Sequence, residues 1–280
     1  MTPESEIGYT DKLVAFLDIL GFRTLVLQNH DRAEAVIRKL DDAIKHTLQC
    51  LTLEGGPDWF SVKLFSDCFC ISCGYGDLAL LLAEMSYLQW NLSGGGIFIR
   101  GGLSSGRHYE NERIIFSEGL IRSYELQQSD PYPRILIDPV LVERIRCEPS
   151  DSYRDQLLGF VLRGQDGVYF LDYLHCPVYG ESGVLDESLE GHKDAITEQV
   201  ALNRSRPDVV AKYRWLAEYH NFKFSEYYSE EDWVEGHFET LRDRILIPSV
   251  TFPSFERVAE RKQPRPSPVE PQLRGPGPTV

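Results

Sequence analysis

Two aspartates stand where a carboxylate needs a reason to be. Asp18 closes the apolar run Lys12–Leu17 and is followed by Ile19, Leu20, Gly21 and Phe22. A charge at the end of a buried strand is costly unless it is capped, paired or bound to a cation. Asp67 stands in the stretch Lys63–Phe69, between two strand-like runs. Taken singly, each has a plain explanation: Asp18 as the cap of a turn through Leu20 and Gly21, Asp67 as the tip of a hairpin. Brought together without a cation they would repel, raising the pKa of one of them, and one or two divalent ions resolve that conflict.

Other residues near these aspartates suit an anionic substrate. Gly21 lets the backbone approach closely, and a following helix offers its dipole, so the amides of Ile19, Leu20, Gly21 and Phe22 are candidates for a phosphate cradle. By strand parity Lys63, Phe65 and Asp67 share one face, which makes Lys63 and Phe65 candidate substrate contacts. Arg100 and Arg122 read on their own as partners in structural salt bridges. The six cysteines contain a single C-x-x-C pair, Cys70 and Cys73, inside a strand-like run. That pattern is expected to hold reduced, buried small side chains rather than zinc. No nucleophile elbow and no P-loop is present.

The elements that must position these residues follow from periodicity. The run Lys12–Leu17 reads as a buried strand ending in a tight turn. An amphipathic helix is predicted from Asp31, with Val36, Ile37, Leu40, Ile44 and Leu48 on one face and a capping box from Asp31 to Glu34. Phe60 to Ser72 reads as a hairpin turning sharply near Ser66 and Asp67. Asp77 is placed to cap a second helix that ends at Gly94, Gly95 and Gly96, and the strand IFIRGGLSSG follows. The order βαββαβ predicts an α+β, ferredoxin-like (palm) fold with helices against an antiparallel sheet. A further helix is expected near Ser117 to Gln128, a strand at Arg134 to Ile137 and an edge strand at Val168 to Asp172. Pro207 opens a periodic helix in which Val209, Tyr213, Leu216 and His220 share a face, preceded by a helical stretch from His192 to Asn203. We expect a catalytic domain over residues 1–180, a helical C-terminal extension over 181–260 packing on the core or a partner subunit, and a flexible proline-rich tail over 261–280.

The net charge of −14, from 43 acidic against 29 basic residues, disfavours DNA, RNA or an anionic membrane as a general partner and favours metal cations. No apolar run approaches the length of a membrane span, and the amino end lacks the regions of a signal peptide, so a cytoplasmic location is expected.

On these motifs the chain resembles the class III nucleotidyl cyclases, whose first metal aspartate lies in an F-x-D-I-x-G-F segment and whose second lies in a later hairpin. Phe16, Asp18, Ile19, Gly21 and Phe22 match the first segment, and Asp67 follows 49 residues after Asp18. Arg100, Gly102 and Gly106 are similar to the family's R-x-G-x-x-x-G strand, and FSEGLIRSYELQ occupies the position of its catalytic helix. The likeness spans residues 12–138. More narrowly, DILGF, FSD, RGGLSSG, SYELQ, YPRILID and KYRWLAEYHN look like the pyrimidine cyclases of bacterial Pycsar anti-phage systems.

The resemblance implies a homodimer with sites between subunits, a nucleoside triphosphate substrate (UTP favoured over CTP), and two divalent ions, Mn²⁺ or Mg²⁺, held by Asp18, Ile19 and Asp67. It implies in-line attack of the ribose 3′-hydroxyl on the α-phosphate with loss of pyrophosphate, and a cyclic product that acts on a separate effector. Lys63 stands where purine cyclases carry a base-reading Lys. The catalytic helix departs from the family: Ile121 falls where a ribose-positioning Asn is expected and Glu125 where a transition-state Arg is expected. Arg122 and Arg100 are the substitutes at hand. Those departures keep open a cyclase-like module that binds nucleotide or protein without turnover. A diguanylate cyclase is excluded by the absence of its G-G-D/E-E-F hairpin.

Overall fold

A computed structural model describes residues 8–28, 33–55, 60–175, 182–228, 242–248 and 255–258. The predicted first strand is β1 (Thr10–Ile19), whose alternate residues Leu13, Ala15, Leu17 and Ile19 are buried in the main core. After Gly21, at φ +73°, comes a short helix, α1 (Phe22–Gln28), and then α2 (Ala33–Gly55). Val36, Leu40 and Ile44 of α2 pack on the core. Ile37, expected on the same face, is 62% exposed: an apolar residue beside the stripe faces water once the helix has its seat. Asp31 of the expected capping box lies outside the described residues.

The predicted hairpin is β2 (Phe60–Phe65) and β3 (Cys68–Cys73), joined by Ser66 and Asp67, with Ser66 at φ 56°. A 3-10 turn, Tyr75–Asp77, leads into α3 (Leu78–Ser93), and Asp77 occupies the N-cap position without a side-chain hydrogen bond to the helix. The next strand is β4 (Ile99–Glu110). These strands pair antiparallel in the order β2-β3-β1-β4, which is the ferredoxin-like βαββαβ arrangement. Leu81, Leu82, Met85 and Leu88 of α3 and Ala43 of α2 bury the same sheet face as Leu13 and Leu17.

The opposite face receives β5 (Ile115–Ser117) at its margin and α4 (Glu118–Ser129), capped by Ser117, whose hydroxyl accepts from Leu120 N at 2.9 Å. Small residues let α4 lie directly on the strands. A Cβ at Gly102 would stand 2.3 Å from Ser123 O, and one at Gly106 would stand 2.8 Å from Gly119 N. Ser123 Oγ donates to Val14 O at 2.7 Å, tying helix to β1.

The sheet continues beyond β4 through β6 (Ile135–Ile137), β8 (Tyr169–Leu171), β7 (Val161–Arg163) and β9 (Glu256–Arg257), with α5 (Pro139–Arg146) and α6 (Asp151–Gly159) between β6 and β7. The Val168–Asp172 segment is therefore not an edge: β8 lies between β6 and β7. α7 (Ser182–Leu202) and α8 (Pro207–Tyr227) bury Tyr213, Leu216 and Tyr219 against Phe98, Leu136 and Phe170. The C-terminal extension is more than helical, since its β9 completes the sheet. The expected tail lies outside the described residues. Cysteines 70 and 73 are buried and free, whereas Cys147 is exposed, because the end of α5 faces water.

Buried polar chemistry ties α7 and α8 to the core. Asp172 is fully buried, with Lys223 Nζ at 2.8 Å and Arg257 Nη1 at 3.0 Å. Their positive charges outweigh burial and hold its carboxyl at about 2. A second chain runs through histidines. His220 Nε2 meets the Ile245 carbonyl at 2.8 Å, which only accepts, so the proton sits on Nε2. His220 Nδ1 then accepts from His192 Nδ1 at 3.1 Å, and His192 Nε2 accepts from the Tyr173 hydroxyl at 2.6 Å.

Two predictions follow from this packing. Gly102→Ala is expected to cost about 1–3 kcal/mol by overpacking, read as a lowered melting temperature, whereas Gly191→Ala in α7, where nothing lies within 4 Å of the added Cβ, gains up to about 1 kcal/mol. Burial holds His175 and His220 each at about 4, below the ordinary 6.5. The unfolded chain takes up those protons first, so their stabilisation is complete above pH 6.5 and is lost as pH falls toward 4. Urea midpoints measured between pH 7.5 and 5 should decline, with each histidine contributing up to about 1.4 kcal/mol per pH unit.

Candidate active site

The site forms where β1 ends. Asp18 pairs in register with Cys68 of β3 on one side and Arg100 of β4 on the other. Ile19 N donates to Asp67 O at 3.1 Å, which fastens the hairpin tip to the end of β1. As a result, one ligand atom each from Asp18, Asp67 and Cys68 lies within 4.8 Å of the others.

The electrostatics are those of a carboxylate pair in part-buried surroundings. Burial raises the Asp18 pKa; Arg100 opposes that shift and Asp67 adds to it. Arg100 reaches Asp18 Oδ2 with Nε at 3.1 Å and Nη2 at 2.9 Å, and Gln127 Nε2 reaches the same oxygen at 3.1 Å. These three bonds all fall on Oδ2, and Asp67 also comes within side-chain hydrogen-bond reach of the Asp18 carboxyl. The Cys68 thiol is pushed up to about 11 by burial and by Asp67 and Asp18, so it stays protonated. The donors that suit a cation are therefore hard carboxylate oxygens, the kind preferred by Mg²⁺ or Mn²⁺ over softer metals.

The remaining candidates divide by position. The amides of Ile19 and Leu20 are spent on Asp67 O and Phe98 O, the latter at 2.8 Å, which removes both from the expected phosphate cradle. Gly21 and Phe22 precede the first helical bonds, from Thr24 N and Leu25 N to Gly21 O, and their amides remain at the mouth of α1. Lys63 and Phe65 lie exposed on β2, Phe65 by 83%, on the same face as Cys68 and Cys70. Arg122 is not gathered with the carboxylates. Its Nη1 donates to Ser105 O at 3.1 Å, five residues along β4 from Arg100.

Two residues near Asp18 escaped the sequence reading. Gln127 is buried and bonds Asp18 across 109 positions. Lys212 of α8 lies near enough to Arg100 and Asp18 to feel both charges. The KYRW motif was a visible signal for Lys212, but periodicity alone assigned it only to a helix.

No known protein family matches the sequence, and no curated protein matches it. Solved structures overlap it loosely. The adenylyl cyclase CyaB from P. aeruginosa aligns at 16% identity over 57% of this chain and 93% of that one, with a TM-score of 0.37. A bacterial light-regulated adenylyl cyclase aligns at 12% identity over 68% and 58%, with a TM-score of 0.43. A class III adenylyl cyclase-like ATP-binding protein from Pseudomonas aeruginosa aligns at 14% identity over 55% and 41%, with a TM-score of 0.35. What those proteins make or bind does not pass to this chain through overlaps of this kind.

The donor set makes a direct prediction. Mn²⁺ titrated into the protein and followed by paramagnetic resonance should bind, and Asp67→Asn should weaken that binding by about tenfold or more, because an amide gives up the charge that holds a hard cation. Cys68→Ser should leave it within about threefold.

Proposed function

We propose that this chain is a metal-dependent nucleotidyl cyclase that converts a pyrimidine nucleoside triphosphate, UTP in preference to CTP, to the 3′,5′-cyclic monophosphate and pyrophosphate. The observation that carries the reading is the carboxylate pair Asp18 and Asp67, set within one cation's reach at the end of β1 with Arg100 beside them.

In the reaction the ribose 3′-oxygen bonds to the α-phosphorus as the bond from that phosphorus to the bridging β-oxygen breaks. Pyrophosphate leaves with the bridging oxygen, and the 3′-hydroxyl proton passes to water. Two divalent ions, Mg²⁺ or Mn²⁺, supply the Lewis acidity when bound. Asp18, Asp67 and the Ile19 carbonyl would hold them, and Gln127 fixes the Asp18 carboxylate. Arg100 faces the charge that builds on the phosphates. The amides of Gly21 and Phe22, at the start of α1, take phosphate oxygens, and Lys63 and Phe65 meet the base.

A homodimer with shared sites is supported by the exposed apolar side chains Phe65, Phe116, Ile121 and Tyr124. Arg122, remote from its own carboxylates and half-exposed, then serves the partner's site. The pyrimidine preference and a signalling role in anti-phage defence through a separate effector rest on the resemblance of the sequence motifs, and the cytosolic setting rests on the lack of an apolar span or signal-peptide regions in the sequence. None of the helices among the described residues is long and apolar enough to cross a membrane.

A second reading, nucleotide binding without turnover, is favoured by α4. Ile121 is 59% exposed and Glu125 is exposed where the resembling family uses an Asn and an Arg. Incubation with each nucleoside triphosphate and Mn²⁺, with products resolved by mass, decides between the two. Cyclic UMP should exceed cyclic CMP, and absence of a cyclic product from every base overturns the enzyme reading. Asp67→Ala should abolish cyclisation with an unchanged melting temperature; normal turnover by this variant refutes the metal assignment.

A further inference from the structure

The C-terminal extension reaches the site. Phe98, Arg100 and Gly102 alternate onto the same sheet face, the one that carries α4 and α8. The Phe98 ring meets Tyr213 of α8 with centroids 5.5 Å apart, and a Cβ at Gly102 would strike Ser123 of α4. Arg100 therefore stands in the gap between the two helices. Leu20, two residues past Asp18, packs in the same cluster as Tyr213, and its amide bonds Phe98 O at 2.8 Å. The neighbour of Tyr213 in this gap is Lys212.

Lys212 is half-buried and has no hydrogen bond or ion pair among the described residues. Burial lowers its pKa, with Arg100 the next cause, and Asp208, Arg206 and Asp18 also act on it. Partly desolvating an ammonium without a close partner costs free energy that the docking of α8 does not require. Tyr213, Leu216 and the Asp172–Lys223 pair account for that docking without it.

We infer that Lys212 binds the polyphosphate tail of the substrate together with Arg100, so that α8 completes the active site of its own chain. The inference rests on the cyclase reading for its substrate class. Two aspartates with two divalent ions leave a net charge of about +2 against about −4 on a triphosphate, and Arg100 with Lys212 makes up the difference. A Lys also tolerates the changing geometry of a departing pyrophosphate, since it contacts oxygen as a point charge.

The test uses the full chain and two readouts. Inorganic tripolyphosphate titrated calorimetrically in the presence of Mn²⁺ should bind wild type, and Lys212→Met should weaken it by about tenfold. Lys212→Arg should stay within about threefold of wild type, and affinity for a nucleoside monophosphate should be unaltered in both. In the cyclisation assay Lys212→Met should raise KM for the triphosphate by about tenfold with kcat changed by less than about threefold. Thermal melts verify folding, and Lys212→Gln replaces Lys212→Met if the latter does not fold. Wild-type affinity for tripolyphosphate in a folded Lys212→Met or Lys212→Gln protein overturns the inference, as does failure of wild type to bind tripolyphosphate. A protein that binds tripolyphosphate through Lys212 but makes no cyclic product sinks the cyclase reading alone. One that cyclises equally well with and without Lys212 sinks only this inference.

Discussion

Asp18 and Asp67 repel one another, and the backbone holds them together against that repulsion. β1 is a central strand whose alternate residues are buried to 4% exposure or less at Leu13, Ala15, Leu17 and Ile19. Its register therefore cannot slip by one residue without turning that whole set onto the face where α4 lies close against Val14 and leaves no room for it. The same register sets Asp18 opposite Cys68 and Arg100, and the bond from Ile19 N to Asp67 O closes the hairpin tip over the strand end. Packing energy spread over the sheet is thus concentrated on one electrostatic conflict, at a place where a hard cation relieves it. Arg100 and Gln127 relieve it partly, and both do so on a single oxygen.

Gln127 is available only because α4 approaches the sheet so closely. With Gly102, Ser104 and Gly106 on β4 and Gly119 and Ser123 on the helix, the centre of the interface brings backbone and hydroxyls into direct contact. Ser104 Oγ donates to Gly119 O at 2.9 Å, and Ser123 Oγ reaches Val14 O. A larger side chain at any of these positions would lift the helix and withdraw Gln127 from Asp18. The glycines of the RGGLSSG segment are therefore as much a part of the site as the aspartates.

The parts of this arrangement that the sequence made legible are those with a period or a turn signature. β1, the hairpin through Ser66 and Asp67, α3 and α8 announce themselves by alternation, helical spacing or breakers, and strand order then brings the two aspartates together. Elements that owe their existence to a partner were illegible. β5 and β7 span three residues each and β9 two, too short to carry a pattern, and they form because a neighbouring strand offers its edge; β6 and β8, equally short, do show in sequence as the strands at Arg134 to Ile137 and Val168 to Asp172, but the place of β8 inside the sheet does not. The loss of Ile19 and Leu20 from the phosphate cradle was hidden for the same reason. Their amides look free in sequence, but Asp67 O and Phe98 O come from distant segments. Gln127 and Lys212 likewise depend on how α4 and α8 are rotated, which helical periodicity does not fix to within a residue.

That rotation is what the buried polar groups of the extension determine. An apolar face alone tolerates small turns of a helix, because dispersion and burial have little direction. Hydrogen bonds inside a dry interface do have direction, and a broken one leaves an unsatisfied group at a cost of about 1–3 kcal/mol. α8 carries Tyr219 and Lys223 to Asp172, and His220 to His192 and Ile245. With the tautomers fixed by the Ile245 carbonyl, that chain reads in one direction only, from Tyr173 through His192 to His220. Turning α8 by one residue, about 100°, would break all of these bonds at once. Lys212 and Tyr213 sit two to three turns before this cluster on the same rigid helix, so the cluster sets where the Lys212 ammonium stands relative to Arg100. A polar network remote from the two aspartates thereby decides which ammonium stands beside Arg100 and Asp18.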